Sequence, residues 1–394
     1  MRLVIATDHA FFRTKQGVFD TFCINYEFFD DYRQIFDEVD VVARVNQVEA
    51  LPVGAFRSDG EGVRFIDVPN IRGMGWLLRA ARLSKHLLTS AVELSDAVIV
   101  RVPSELGWLA ARCALRMHKP YMVEVIGDPR SAWASVSRAP HYKLVAWFQG
   151  LRLRYLTQHA VAGSYVEGRH LPRVYPLRPG TPQDSISSIR LKKVDVLPSR
   201  QFYERPVPLR VIHVGTLTRR KRGDDLIRAC HVAVERGLEV QLQFVGDGPQ
   251  RPQLEALRDK LRMGKRVVFH GHIADRELLN HLLDDSDLFV MTSASEGLPR
   301  AMIEAMARGL PVAGSRIPGI DELVRDSELF PLGDVYALGN LLWQLGSDPE
   351  RLTAMSSHST SIALQYTDEF LSPKRIRLYQ ALADKSVHIA TQQY

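Results

Sequence analysis

The sequence predicts an α/β chain built on two doubly wound parallel sheets. Short continuous apolar runs recur along its 394 residues, each followed by a stretch of helical periodicity. Several runs are apolar at every position, as expected of strands covered on both faces. The alternation breaks once, over Pro172–Arg210, where many Pro, Ser and Arg residues and little periodicity read as the end of the first domain plus a linker. A chain of this length exceeds one ordinary core and suits two domains.

In the first half, Arg2–Asp8 (RLVIATD) reads as the opening strand, Thr21–Phe36 as helical and Val39–Val45 as the next strand. Val63–Val68, Ala97–Val102 (AVIVRV) and Tyr121–Ile126 (YMVEVI) continue the strands, with helices over Trp76–Ala91 and Leu106–Met117. In the second half the strands are Leu209–Val214, Val240–Val245, Val267–His270, Leu288–Thr292 and Pro311–Ser315. Helices fall at Asp224–Arg236, Gln250–Leu261, Arg276–Leu283 and Pro299–Arg308, with Gly237 as a C-cap. Leu338–Gly346, Arg351–Gln365 and Glu369–Leu382 add three more helices.

Hydrophobic residues make up 45% and charged residues 24%, an ordinary globular composition. The start, MRLVIATDHAFF, lacks the order of a signal peptide, and no apolar run reaches the roughly eighteen residues of a spanning helix. A cytoplasmic protein is therefore expected. Cys23, Cys113 and Cys230 are scattered without metal or disulfide spacing and read as small buried residues. The net charge of +6 favours anionic partners. No nucleic-acid motif accompanies it, which leaves sugar nucleotides and phospholipid headgroups.

The chemistry concentrates in Thr292–Val324, TSASEGLPRAMIEAMARGLPVAGSRIPGIDELV. A strand ends at Thr292, a polar turn follows, and Pro299 reads as the first helical residue. The N–H groups near Gly297, Leu298, Arg300 and Ala301 then face the turn, and the helix dipole favours an anion such as a diphosphate. Glu296 and Glu304 flank the helix start with seven residues between them. By themselves Glu296 reads as an acid favoured by the helix N-terminus and Glu304 as an exposed carboxylate pairing with Arg300 or Arg308.

The run Glu296-Gly-Leu-Pro-Arg-Ala-Met-Ile-Glu304, followed by AMARGLPV, resembles the E-x7-E motif of glycosyltransferase family 4, the retaining GT-B enzymes. Further pieces fall in the same order: Val214–Ile227 (VGTLTRRKRGDDLI), Val245–Pro249 (VGDGP), Phe269–Ile273 (FHGHI) and Asp287–Ser293 (DLFVMTS). The resemblance implies a GT-B fold of two facing Rossmann-like domains, Met1–Leu197 and Pro198–Thr367, with residues 368–394 returning to the first.

It also implies the site. Glu296 would lie by the donor sugar, and Glu304 would hydrogen-bond the ribose. Lys221 aligns with the family lysine at the leaving diphosphate. Thr216 replaces a family arginine, whose charge Arg219 or Arg220 would supply. Gly215, Gly246, Ile273, Gly297, Leu298 and Pro299 would shape the nucleotide pocket. In the first domain, Gly17 resembles a glycine in the loop over the donor phosphates. Gly127 stands where many members carry a histidine, and the next residue, Asp128, becomes a candidate for an acceptor hydroxyl. His9, His118 and His141 receive no role.

The implied reaction moves a hexosyl group from a UDP- or GDP-sugar to an acceptor hydroxyl with retention. It needs no bound cofactor and no metal. The acceptor would be a glycan, a lipid-linked sugar or a small molecule. Two alternatives stay open: a UDP-sugar 2-epimerase on the same fold, and a catalytically silent sugar-nucleotide-binding partner. Trp76–Ala91, with Arg79, Arg82, Lys85 and His86, reads as a surface helix or as peripheral contact with an anionic inner membrane face.

Overall fold

A computed structural model describes residues 1–70, 81–136 and 140–392. The chain divides into two units. One comprises Met1–Arg130, Lys143–Ser188 and Leu371–Tyr394; the other comprises Ser131–Tyr142 and Ile189–Phe370.

The first unit opens with β1 (Arg2–Thr14), β2 (Gly17–Asp20), α1 (Asp30–Arg33), β3 (Glu38–Gln47), β4 (Phe56–Arg57) and β5 (Val63–Pro69). It continues with α2 (Ala81–Glu93), β6 (Ala97–Val102), α3 (Glu105–Arg116) and β7 (Tyr121–Val125). After α4 (Pro129–Val136) come α5 (Pro140–His159), β8 (Ala162–Tyr165), α6 (Leu171–Val174) and β9 (Gln183–Ser185). The parallel strands run in the order β5-β3-β1-β6-β7-β8-β9. β6 and β7 are buried at every position, which explains their uninterrupted apolar sequence.

Three expectations are corrected here. β1 does not end at Asp8: its pairing with β3 shifts register between Ala6 and Ala10, and the strand runs on to Thr14. Thr21–Phe36 is not one helix. The Asp20 carboxylate accepts from the N–H groups of Thr21, Cys23 and Ile24, and Asn25 caps a single 3-10 turn. Phe28, Phe29, Tyr32 and Phe36 are all buried, so this segment is core rather than an amphipathic surface. The Pro-rich stretch after Pro172 contributes a seventh parallel strand, β9.

The second unit holds β10 (Leu209–Val214), α7 (Gly223–Glu235), β11 (Val240–Val245), α8 (Arg251–Lys260), β12 (Val267–Gly271) and α9 (Arg276–Asp284). It continues with β13 (Leu288–Met291), α10 (Arg300–Ala307), β14 (Val312–Ser315), β15 (Leu329–Phe330), α11 (Val335–Leu345) and α12 (Pro349–Leu364). The parallel order is β12-β11-β10-β13-β14-β15. The order reverses between β10 and β13, so the ends of these two strands form the switch point where doubly wound sheets bind ligands. Arg200 ties the preceding segment to this unit by donating to the carbonyls of Leu283, Asp284, Ser286 and Arg308.

The last helix, α13 (Asp368–Gln392), joins the first unit from Leu371 onward. Arg375 pairs with Asp31 at 3.0 Å, with both side chains buried. Tyr379 stacks on Tyr32 at 4.4 Å, and both hydroxyls donate to Glu124, which lies 3.1 Å from Arg101. A buried charge pair left without a partner is costly, so this network holds the helix to one register. Among the described residues no helix is long and apolar enough to cross a membrane.

Candidate nucleotide-sugar site

The site is assembled at the switch point of the second unit. Gly215 (φ +155°) follows β10 and Gly246 (φ +124°) follows β11. A Cβ on Gly246 would stand 2.2 Å from the Gly215 carbonyl oxygen, so only glycine allows this approach. The exposed Thr216 and buried Leu217 follow, then a 3-10 turn over Arg219–Lys221 and Arg222 in the left-handed region.

That turn is stitched to the β13–α10 connection. Thr292 Oγ1 donates at 2.8 Å to the Lys221 carbonyl, with the Arg222 carbonyl 2.9 Å away. The Ala294 N–H donates to the Arg220 carbonyl at 2.8 Å, and Arg220 Nη1 donates to the Ser295 carbonyl at 2.6 Å. These bonds bring the cations onto Glu296. Lys221 Nζ lies 2.8 Å from Glu296 Oε1, and Arg220 Nη1 lies 3.3 Å from Oε2. Burial pushes the Glu296 carboxyl up, but Lys221 and then Arg220 outweigh it and hold the group below the usual carboxylate range. Two cations against one carboxylate leave one net positive charge. Arg219 is exposed and, among the described residues, forms no ion pair, so of the two arginines it is Arg220 that meets Glu296.

The helix start differs slightly from expectation. Pro299 has extended backbone (φ −77°, ψ 99°) and serves as N-cap, so α10 begins at Arg300. Its carbonyl accepts from Met302 N–H at 3.0 Å. The N–H groups of Gly297 and Leu298 have no partner among the described residues. Gly319 (φ +85°) seals the turn from behind: a Cβ there would meet the Gly297 carbonyl oxygen at 1.8 Å.

Glu304 pairs with neither Arg300 nor Arg308. It meets Arg276 of α9 at 3.3 Å, while Arg308 pairs with Asp284. Glu304, Arg276, Leu279 and Leu283 line a cavity of about 200 Å³ within this unit. Ile273 lies in the loop between β12 and α9, which Asp275 closes by capping the α9 N–H groups of Glu277 and Leu278.

His213 is a site residue that the sequence reading missed. It is fully buried two residues before Gly215, and its Nδ1 lies 3.0 Å from the Val290 carbonyl. A carbonyl only accepts, so Nδ1 carries the proton and Nε2 is a bare acceptor. Among the described residues Nε2 has no hydrogen-bond partner. Nε2 lies 3.8 Å, and Lys221 Nζ 3.5 Å, from the point a Cβ on Gly215 would occupy. Burial, and then the Lys221 ammonium, push its pKa down to about 4. A polar residue beside Ile212 near the end of the otherwise apolar run VIHV was the available signal.

The first-unit candidates have local partners. Gly17 does not follow the strand end at Asp8 but opens β2 of a hairpin, where a Cβ would stand 2.6 Å from Asp59 Oδ1. Asp128 Oδ1 accepts from Tyr175 OH at 2.5 Å and from Arg130 N–H at 3.0 Å, which makes it a holder of the β7–α4 corner. His9 Nε2 lies 2.9 Å from the carboxylate of the buried Asp20. Of the basic segment Trp76–Ala91, residues 76–80 lie outside the described residues, Leu88 and Ala91 are buried, and Lys85 and His86 are exposed. Among the described residues no group of three or more His, Cys, Asp or Glu is placed to hold a metal ion.

The second-unit segment can be matched to a known family. Residues 200–361 match the family described as glycosyl transferases group 1. This group 1 segment contains every second-unit site residue named above. Over 330 residues the chain is 28% identical to protein CapJ of Staphylococcus aureus, covering 81% of this chain and 80% of that one. It is 33% identical over 177 residues to the putative colanic acid biosynthesis glycosyltransferase WcaL of Escherichia coli K12, which covers 41% of this chain and 42% of the relative. Among solved structures, sucrose-phosphate synthase of Thermosynechococcus elongatus aligns with TM-score 0.67 at 17% identity, over 97% of this chain and 98% of that one. HepE of Anabaena in complex with UDP aligns with TM-score 0.64 at 16% identity, over 98% and 99%. At these identities the likeness shows the fold, which is GT-B.

Proposed function

We propose that the protein is a retaining glycosyltransferase. It moves a hexosyl group from a UDP- or GDP-sugar to an acceptor hydroxyl during polysaccharide or other glycoconjugate synthesis. The observation that carries this reading is the cluster of Glu296, Lys221 and Arg220 beside the unpaired amides of Gly297 and Leu298. Glycosyl transfer breaks the bond between the anomeric carbon and a phosphate oxygen, and the electron pair leaves with the diphosphate. Fixed cations and helix N-terminal amides stabilise that developing charge.

The acceptor oxygen bonds the anomeric carbon on the face the phosphate leaves, and its proton passes to the departing phosphate oxygen. No protein base is required, which accommodates Gly127 in place of a histidine. Glu296 orients the donor sugar, Glu304 holds the ribose, and the backbone at Gly215, Gly246 and Ile273 borders the nucleotide. HepE of Anabaena was solved with UDP and with UDP-glucose, which supports a nucleotide-sugar donor. The acceptor, a glycan, lipid-linked sugar or small molecule, belongs with the first unit.

The test is turnover of a panel of UDP- and GDP-sugars with glycan and lipid-linked acceptors, with the product's anomeric configuration read by NMR. A glycoside that keeps the donor configuration supports the reading. An inverted product, an epimerised free nucleotide sugar, or binding without turnover across the panel contradicts it.

A further inference from the structure

The first unit's sheet has a switch point of its own. Strand order reverses between β1 and β6, and ligands of doubly wound sheets sit at the carboxyl ends of two such strands. Here the sheet is also notched. β3 runs along one edge of β1 as far as Arg13. On the other edge β6 pairs only as far as Ala6, and β2 joins only from Phe12. Among the described residues, Thr7–Phe11 meet no strand on that side. The pairing with β3 shifts register between Ala6 and Ala10, an irregularity of the kind that re-aims side chains.

His9 stands in this notch, packed edge-on against the buried Phe11 at 4.7 Å. Its Nε2 lies 2.9 Å from Asp20 Oδ1. Asp20 is almost fully buried, and its carboxylate accepts from the N–H groups of Thr21, Cys23 and Ile24. Burial pushes the Asp20 carboxyl up, but His9 and then the N–H groups of Cys23 and Ile24 outweigh it, so the group is ionised at neutral pH. Two lone pairs repel at 2.9 Å, so the neutral imidazole carries its proton on Nε2. Nδ1 is left as a bare acceptor, with no hydrogen-bond partner among the described residues. Beside it lies Phe22, 67% exposed, with its ring centroid 6.3 Å from that of His9 and the planes 29° apart.

These features define the ligand. A bare acceptor takes a hydroxyl donor, and an outward aromatic face takes the C–H face of a pyranose ring. An acid is disfavoured. Arg44, the one cation of β3, pairs with Asp8 at 3.1 Å, and Arg101, the one cation of β6, lies 3.1 Å from Glu124. A phosphate or carboxylate would find no unmatched cation on these strands and would face the Asp20 charge. We propose that the notch between β1 and β6 binds a neutral saccharide, with His9 Nδ1 accepting from a sugar hydroxyl and Phe22 packing against the sugar ring. That this saccharide is the acceptor rests on the glycosyltransferase reading; its binding does not.

The experiment is saturation-transfer NMR of the full chain with the methyl glycosides of glucose, galactose, mannose and N-acetylglucosamine, with glucose 6-phosphate and glucuronate as charged comparators. Expected is binding of at least one neutral glycoside, weakened roughly tenfold by His9→Phe and by Phe22→Ser. His9→Phe keeps a ring against Phe11, and Phe22 is exposed, so the melting temperature should hold in both. UDP and GDP affinity should also hold, because the nucleotide residues belong to the second unit. Nitrogen-15 NMR of neutral His9 should find the proton on Nε2. Absence of any neutral glycoside binding, tighter binding of the charged comparators, affinity unchanged in either variant, or a proton on Nδ1 overturns the proposal. Glycoside binding that both variants weaken, in a protein that binds no nucleotide, supports the saccharide site and contradicts the glycosyltransferase reading instead.

Discussion

Lys221 Nζ lies 2.8 Å from Glu296 Oε1, joining a turn after β10 to the connection that leads into α10, 75 residues later in the chain. The pair sets the electrostatics of the switch point. Glu296 stays ionised, Lys221 is held in one place, and Arg220 adds charge from the other carboxylate oxygen. Each partner should then answer differently to mutation.

Lys221→Ala removes a fixed cation from the leaving diphosphate. Transfer should fall by a hundredfold to a thousandfold, about 3–4 kcal/mol of transition-state stabilisation, and UDP or GDP affinity should drop with it. Glu296→Gln removes a negative charge from the same place. It should slow transfer by roughly a hundredfold while leaving diphosphate affinity unchanged or tighter, since only repulsion is lost. Steady-state kinetics with titration of the nucleoside diphosphate separates the two patterns.

Glu304→Ala should weaken nucleotide binding by roughly tenfold, because a carboxylate that accepts from ribose hydroxyls contributes about 1.5 kcal/mol or more. Arg276→Ala should not reproduce this loss, since Arg276 pairs with Glu304 at a largely exposed position. Titrations of nucleoside and nucleoside diphosphate against both variants measure the difference.

Gly319→Ala places a methyl group 1.8 Å from the Gly297 carbonyl oxygen at φ +85°. Overpacking and backbone strain together should destabilise the fold by about 3 kcal/mol. Nucleotide affinity should fall too, because the displaced turn carries the Gly297 and Leu298 amides. Urea unfolding and titration of the purified variant test both effects.

His213 gives a pH signature. Its folded pKa of about 4 lies below the ordinary 6.5, so the unfolded chain takes up a proton that the folded chain refuses. Its contribution is therefore fully present above pH 6.5 and is lost as pH falls from 6.5 towards 4, by roughly 3 kcal/mol at about 1.4 kcal/mol per unit. His213→Gln should flatten the stability–pH curve in that window relative to wild type. A parallel slope in both proteins would assign the loss to other groups. Glu296 acts below this range: its lowered pKa gives stability that is present above 4.5 and fades at more acid pH.

The second sheet was legible because its strands are short, buried and separated by amphipathic helices, so periodicity alone separates them. β15 escaped because two residues carry no periodicity. In the first unit, β1 outran the expected strand because Thr7–His9 interrupts its apolar run; Ala10–Thr14 resumes it with the buried Phe11 and pairs with β2 and β3. The site was legible as a motif but not as a circuit. The order around Glu296 and Lys221 stands in the sequence; that the two touch, that Arg220 rather than Arg219 joins them, and that His213 lies beneath are products of strand order. Pro299 shows the limit of local rules, since a proline suited to the first helical turn also suits the extended N-cap it occupies.

Isothermal titration of UDP and GDP into the wild-type protein and Lys221→Ala measures the central claim most directly. The account predicts saturable binding of at least one nucleoside diphosphate to the wild type and a loss of roughly tenfold or more in the variant. Wild-type protein that takes up neither nucleotide, or equal affinity in the two proteins, would contradict it.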